Sequence, residues 1–340
     1  MVHVPLTFTI TTLMWIKVIV SPNLIEAADV IYMAFTETAL VVKILSAWRF
    51  ARLLQFMFLE WQTNELFSLK NTSEELIWNR QFKIFKIFAF VYIISSLSIV
   101  ILSFISVLYM GVHRLPFTYW TPPGWEQSSY FWYLCLYDVI SMTITCTSNC
   151  TLDMYFCYLL KHNAACFRMV SLRLEKLGYS SEDATTNLKE IIIIHNKLQS
   201  MSSHCERIVS YPILSQILFS SLVLCFSIYR LQTISFVETP FDFLSVFQYM
   251  WVMAAQIYLP CHYCNELTVE STALNTAIYD CNWINMTAAE RKTILLFMIY
   301  LRRPVVLRAG HFFEIGLPIF TKTMNNAYSL FALLLNMSDS

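Results

Sequence analysis

A cysteine pair, two acids in an apolar stretch and a polar stripe on the last helix are the residues here whose types could do chemistry. Cys261–His262–Tyr263–Cys264 has a C-x-x-C spacing that suits zinc, with Cys281 not far on. No second pair completes a tetrahedral set, so reduced thiols are expected, with no metal and no cofactor. Asp138 and Asp153 fall within an apolar segment. There an acid is either a functional group or the partner in a structural hydrogen bond to Ser or Tyr. Catalysis finds no support, because G-x-S-x-G, H-E-x-x-H and a phosphate-cradling glycine loop are all missing. The histidines are scattered, and His3, His113, His195 and His204 read as loop or helix-surface residues. No enzyme is expected.

The polar stripe lies near the chain end. Leu317 to Met337 is long enough to cross a bilayer. Within it Lys322, Asn326, Ser329, Leu333 and Asn336 recur at alternating spacings of four and three, so they share one face. Polar groups inside a membrane normally face a bundle interior or water. The stripe fits a water-filled path narrowed by Leu333 and Met337, since apolar constrictions gate by dewetting. A polar helix–helix contact fits it equally.

Composition sets these residues in a membrane. Hydrophobic residues make up 57% and charged residues 14%, where soluble chains average about 25% charged. The formal net charge is zero, so nothing points to nucleic acid. With neither a Gly/Ser linker nor an internal repeat, one membrane domain is expected. Spans of roughly 20 residues read as Val4–Val20, Asp29–Trp48, Phe82–Met110, Tyr130–Leu160, Ile208–Tyr229, Phe241–Pro260 and Leu317–Met337. The first lacks a basic leader and a small-x-small cleavage site, so it reads as a span and not a signal peptide. The third and fourth exceed a minimal span and should extend into water. Thr293–Leu301 is too short to cross, and Arg302, Arg303 and Pro304 cut it.

Charge predicts the orientation. One set of loops carries Arg49, Arg52, Lys70 and Arg80, then Lys161 through Lys197, then Arg291 through Arg308. The alternate loops hold Arg114, with Arg230 at an edge. The positive-inside rule then puts the amino terminus in the cytoplasm and the carboxy terminus outside. A G-protein-coupled receptor runs the other way, and neither a DRY-like triplet nor NPxxY is present. The predicted outer loops lack cysteine, so no disulfide framework is expected. Asn71–Thr72–Ser73 and Asn285–Met286–Thr287 match the glycosylation pattern but fall inside, and should stay unmodified.

The carboxy-terminal stretch carries more than spacing. Asn265–Glu266–Leu267–Thr268 precedes the acid Glu270, and Ala277–Ile278–Tyr279 precedes Trp283. Arg302–Arg303–Pro304–Val305–Val306–Leu307, Ala309–Gly310–His311–Phe312–Phe313 and Asn326–Ala327–Tyr328–Ser329 with Phe331 follow in order. This stretch resembles the carboxy-terminal signature of insect odorant receptors, and Leu115–Pro116–Phe117 to Pro122 is similar to that family's second outer loop. The resemblance implies an all-α membrane protein of seven transmembrane helices, a single domain over 1–340. Residues 4–260 would be six spans and their loops, 261–310 a cytoplasmic anchor segment and 316–338 a pore-lining last helix.

It implies an odorant-gated, non-selective cation channel of four subunits around one pore, in the plasma membrane of an olfactory neuron's dendrite. The partners would be a co-receptor subunit, a small volatile organic ligand and membrane lipid. The chain lacks the co-receptor's long inner-loop insertion, so it resembles a ligand-tuning subunit. By position the apolar gate falls on Leu333 and Met337, with Asn336 lining and Ser271–Leu301 as the anchor. Lys322 is awkward in a cation path; it either snorkels to the interface or leaves conduction to co-receptor subunits. The family usually has a few dozen residues before the first span, so a truncated start is expected. A gustatory receptor is the nearest rival, but its TYxxxxxQF-type ending is replaced by Ala327–Tyr328–Ser329. A membrane protein that binds without conducting is the other alternative.

Apolar ligands need a concave, largely aromatic lining with a few polar groups. The outer halves of four spans supply it: Tyr32, Phe35 and Thr36 on the second, Ser103, Ser106 and Met110 on the third, Tyr137 and Ser141 on the fourth, Phe247 and Trp251 on the sixth. Ordinary helix packing explains each residue taken alone. The resemblance puts the odorant pocket in this region.

Overall fold

The computed structural model describes residues 3–22, 24–111, 114–121, 124, 130–179, 184–310 and 312–338, and the side chains of these except 3, 24, 25, 28 and 336–338. Its helices are α1 (His3–Val20), α2 (Leu24–Arg49), α3 (Ala51–Thr63), α4 (Thr72–Met110), α5 (Phe131–Glu175), α6 (Ala184–Thr233), α7 (Pro240–Asp280), α8 (Ala288–Leu301) and α9 (Leu317–Ser338). A two-residue antiparallel ribbon, β1 (Arg308–Ala309) with β2 (Phe313–Glu314), leads into α9. A spanning chain must satisfy its backbone internally, which favours helices throughout.

The helices α4 to α7 have 39, 45, 50 and 41 residues. At about 1.5 Å per residue each is roughly twice as long as the ~30 Å hydrocarbon layer is thick. The expected fifth and sixth spans, 208–229 and 241–260, are therefore pieces of helices that run on, as only the third and fourth were expected to do. Buried stripes explain the continuation. Leu188, Ile191, Ile194, Leu198, Met201 and Cys205 on α6 face Leu267, Leu274 and Ile278 on α7 in one core, and amphipathic spacing keeps both segments helical past the apolar run.

Three described helical segments, Asp29–Arg49, Thr72–Met110 and Ala184–Thr233, are apolar and long enough to cross a membrane by composition alone. The central helices are more polar because their polar side chains point inward. On α5 Asp138, Ser141, Thr145 and Asp153 are buried, as are Ser245 and Gln256 on α7. These two helices pack along each other, α4 lies against both, α2 lies on α6 and α1, and α9 lies on α6.

The end of the bundle that carries α3 and α8, its base, is held by polar ties between distant segments. Arg173 donates to Glu74 from Nε at 3.1 Å and Nη2 at 3.0 Å, and also reaches Leu66 O at 3.2 Å and Ser68 O at 2.7 Å. Burial opposes ionisation of Glu74, but Arg173 and the Lys70 N–H outweigh it and hold the carboxyl below its ordinary value. Asn282 bonds Leu177 O through its backbone and Gly178 O through its side chain. Gly178 sits at φ +82, and a Cβ there would fall 2.8 Å from Asn282 O, so glycine lets these segments meet.

Two expectations change at the base. The short apolar run 293–301 belongs to a longer helix, because a Thr287–Glu290 capping box starts α8 at Ala288. His195 is not on the surface: it is 6% exposed. It falls on the inward stripe of α6, one turn after Ile191, with rings of Phe167, Phe297 and Tyr300 edge-on to it. Burial pulls its pKa down to about 4, so it stays neutral at physiological pH.

Candidate functional site

A cavity of about 60 Å³ lies between α2, α4, α5 and α7, lined among others by Thr36, Glu37, Tyr92, Met142, Cys146 and Tyr249. Thr36 and Glu37 are neighbours on α2, and α7 brings Tyr249 over them: Thr36 Oγ1 is 2.5 Å from Tyr249 Oη and donates to Tyr32 O at 3.0 Å. Tyr32 is itself fixed by a 2.8 Å bond from Arg230 Nη1.

Towards the base the wall becomes a charged cluster. Lys43, 2% exposed, stands 2.6 Å from Asp153 Oδ1 and donates to Asn149 Oδ1 at 2.8 Å. Asp153 Oδ2 accepts from Gln256 at 2.6 Å and from Tyr92 at 3.1 Å. The alternatives for Asp153 thus resolve into an ion pair plus hydrogen bonds joining four helices. A buried pair this well bonded fixes register among those helices and is severely upset by loss of one partner.

At its other end the cavity is roofed by the segment 114–121. Phe117 lines the cavity, and its N–H donates to Asp138 Oδ2 at 2.9 Å. Trp120 N–H donates to Leu13 O of α1 at 3.2 Å. Asp138 therefore pins the roof through the backbone, with no Ser or Tyr bond at that oxygen.

The last helix presents two faces. Thr323, Ala327 and Phe331 are buried, while Lys322, Asn326, Ser329 and Leu333 are exposed together. The side chains of Asn336 and Met337 lie outside the described residues. The ribbon before α9 is clamped to α6: Ser210 Oγ donates to Arg308 O at 2.9 Å and accepts from Gly310 N at 2.7 Å. Gly310 sits at φ +57, and a Cβ there would meet Leu214 Cδ2 at 2.4 Å. Gly310→Ala is expected to cost about 1–3 kcal/mol from the positive φ alone and to lower cell-surface protein severalfold. Gly316→Ala, with nothing nearer than 3.5 Å, should change little. Equal surface labelling of both variants would discount the clamp.

Both the sequence and the fold have known counterparts. The 7tm Odorant receptor family model matches residues 23–328. This chain belongs to the seven-transmembrane odorant receptor family. It is 42% identical to Odorant receptor 94a of Drosophila melanogaster over 341 residues, covering all of this chain and 88% of that one. The fold matches that of the insect olfactory receptor OR5 from Machilis hrabei, with TM-score 0.87, 19% identity and coverage of 99% of this chain and 88% of that one. The same Machilis receptor in complex with eugenol matches with TM-score 0.84 and 18% identity over equal shares.

Of the ten residues expected at the odorant pocket, the receptor puts Thr36 on the cavity wall. Tyr32 is buried behind it, and Phe35 stacks on Phe219. Ser103 bonds Ser245 at 2.8 Å, and Ser106 and Ser141 are buried in helix packing. Met110 is half-buried. Tyr137, Phe247 and Trp251 are exposed on the outer surface of the single chain. Trp251 lines a separate open groove of about 420 Å³ with Phe88, Tyr258 and Phe320. Glu37 and Lys43 were missed, although two charges inside a span are themselves a signal. Cys261 and Cys264 are buried, and no group of three His, Cys, Asp or Glu side chains among the described residues could hold a metal.

Proposed function

We propose that this odorant receptor is the ligand-tuning subunit of a heteromeric, odorant-gated, non-selective cation channel, assembled with a co-receptor subunit in the plasma membrane of an olfactory dendrite. The exposed polar face of α9 carries this reading. Lys322, Asn326, Ser329 and Leu333 have no cover from the other described residues, and in a membrane such a face needs water or another subunit. With the amino terminus cytoplasmic and the carboxy terminus outside, residues 4–260 supply six spans, 261–310 the anchor and 316–338 the pore helix. Leu333 and Met337 form the gate and Asn336 lines the path.

The cavity between α2, α4, α5 and α7 is the odorant site. At about 60 Å³ it must widen to seat a small volatile; the Machilis receptor solved with eugenol supports a ligand of that class. A ligand that fits the cavity better in the open state shifts the population by its differential affinity. The pore then wets. The test is current from cells expressing this chain with an insect co-receptor across a broad volatile panel. A ligand-specific inward current absent from co-receptor alone is expected; silence with the chain at the surface overturns the reading.

A further inference from the structure

The cavity wall holds a carboxyl oxygen that the described residues leave unpaired. Glu37 is 5% exposed and lines the cavity, and its buried Oε2 has no hydrogen-bond partner. Among the described residues it enters no salt bridge, for Lys43 is already committed to Asp153 and Asn149. Thr145 is within hydrogen-bonding reach of the Glu37 carboxyl, and Asn149, also on the cavity wall, accepts through Oδ1 from Lys43 and Gln256; the other neighbouring donors are engaged inside the protein. Ser96 gives its proton to Tyr92 O at 2.8 Å and Tyr92 to Asp153, while the hydroxyls of Thr36 and Tyr249 bond each other and Tyr32 O. The amide of Gln256 points to Asp153. What remains is an acceptor in an otherwise largely apolar chamber.

A buried polar group without a partner is unfavourable, and a ligand that supplies the partner recovers that free energy on binding. A carboxyl oxygen accepts a hydrogen bond whether the group is ionised or not. A protonated carboxyl also donates, so a ligand hydroxyl, which both donates and accepts, is the one group that matches Glu37 in either protonation state. An aldehyde, ketone or ester has an acceptor alone, and a hydrocarbon has neither. We propose that Glu37 is the polar anchor of this cavity and selects small alcohols and phenols, whose hydroxyl donates to Oε2, over carbonyl compounds and hydrocarbons of the same skeleton. This rests on the odorant-cavity reading above.

The experiment uses wild-type chain with co-receptor and two matched series: benzyl alcohol, benzaldehyde and toluene, and 1-hexanol, hexanal and hexane. In each series that elicits current, the alcohol is expected to be roughly tenfold more potent than its hydrocarbon, as one recovered hydrogen bond implies. Glu37→Leu should abolish that preference while still responding to the hydrocarbon, and Glu37→Gln, which keeps an acceptor oxygen, should retain it. Surface labelling checks that both variants reach the membrane. If Glu37→Leu fails to reach it, the preference is read from Glu37→Gln and Glu37→Ala. An alcohol preference unchanged in Glu37→Leu, or a wild-type preference for the aldehyde, overturns the proposal while currents to other volatiles leave the cavity reading standing. Silence to every volatile overturns both.

Discussion

Replacing Lys43 with methionine is expected to remove this receptor from the cell surface. The ammonium is 2.6 Å from Asp153 in a site where Lys43 is 2% and Asp153 10% exposed by side chain. The substitution leaves Asp153 charged, buried and facing only the neutral donors Tyr92 and Gln256. Breaking one partner of a buried pair costs about 3–5 kcal/mol, a large share of the roughly 5–15 kcal/mol by which folded chains are stable. The double variant Lys43→Met with Asp153→Asn should recover much of the loss, because the amide keeps an acceptor for Tyr92 and Gln256 and carries no charge. Surface biotinylation and thermal unfolding of detergent-purified protein measure both effects. Wild-type levels for Lys43→Met, or no recovery in the double variant, would refute the account.

Leu333→Ser is expected to raise the ligand-free current. Leu333 is 59% exposed in the single chain, on the same α9 face as Lys322, Asn326 and Ser329, one turn beyond the last. If that face lines the pore, the leucines of neighbouring subunits make a dry ring, and a hydroxyl there favours the wetted state. A shift of about 1.4 kcal/mol in the closed–open balance raises ligand-free opening about tenfold while the open state is rare. Tyr328→Phe, next to the stripe on an exposed position, should leave basal current as it is. Patch-clamp recording without odorant decides it: unchanged current in Leu333→Ser at wild-type surface levels removes Leu333 from the gate.

The spans and the two faces of α9 were legible in the sequence because each is a local pattern. A run of apolar residues reports its own length, and spacings of three and four report a shared face. The cavity was not. Helices in a membrane are apolar on most sides, so period alone does not say which way Phe247 or Trp251 turns, and both turn outward. Glu37 and Lys43 are visible as charges, but what they do depends on α5 and α7. Lys43 meets Asn149 across 106 residues of chain. His195 shows the same limit at the base, where a polar-looking segment of α6 buries one stripe against α5 and α8.

The roof over the cavity separates two properties of a sensor. Contacts with the wall decide how firmly a molecule is held. If odorant enters past the roof, the bonds from Phe117 to Asp138 and from Trp120 to Leu13 set how often the way in opens. Opening speeds arrival and departure by the same factor, so it leaves equilibrium occupancy alone. Changes in the segment 114–121 can thus sharpen or blur the timing of successive odour pulses while the chemical preference of the neuron stays as it was.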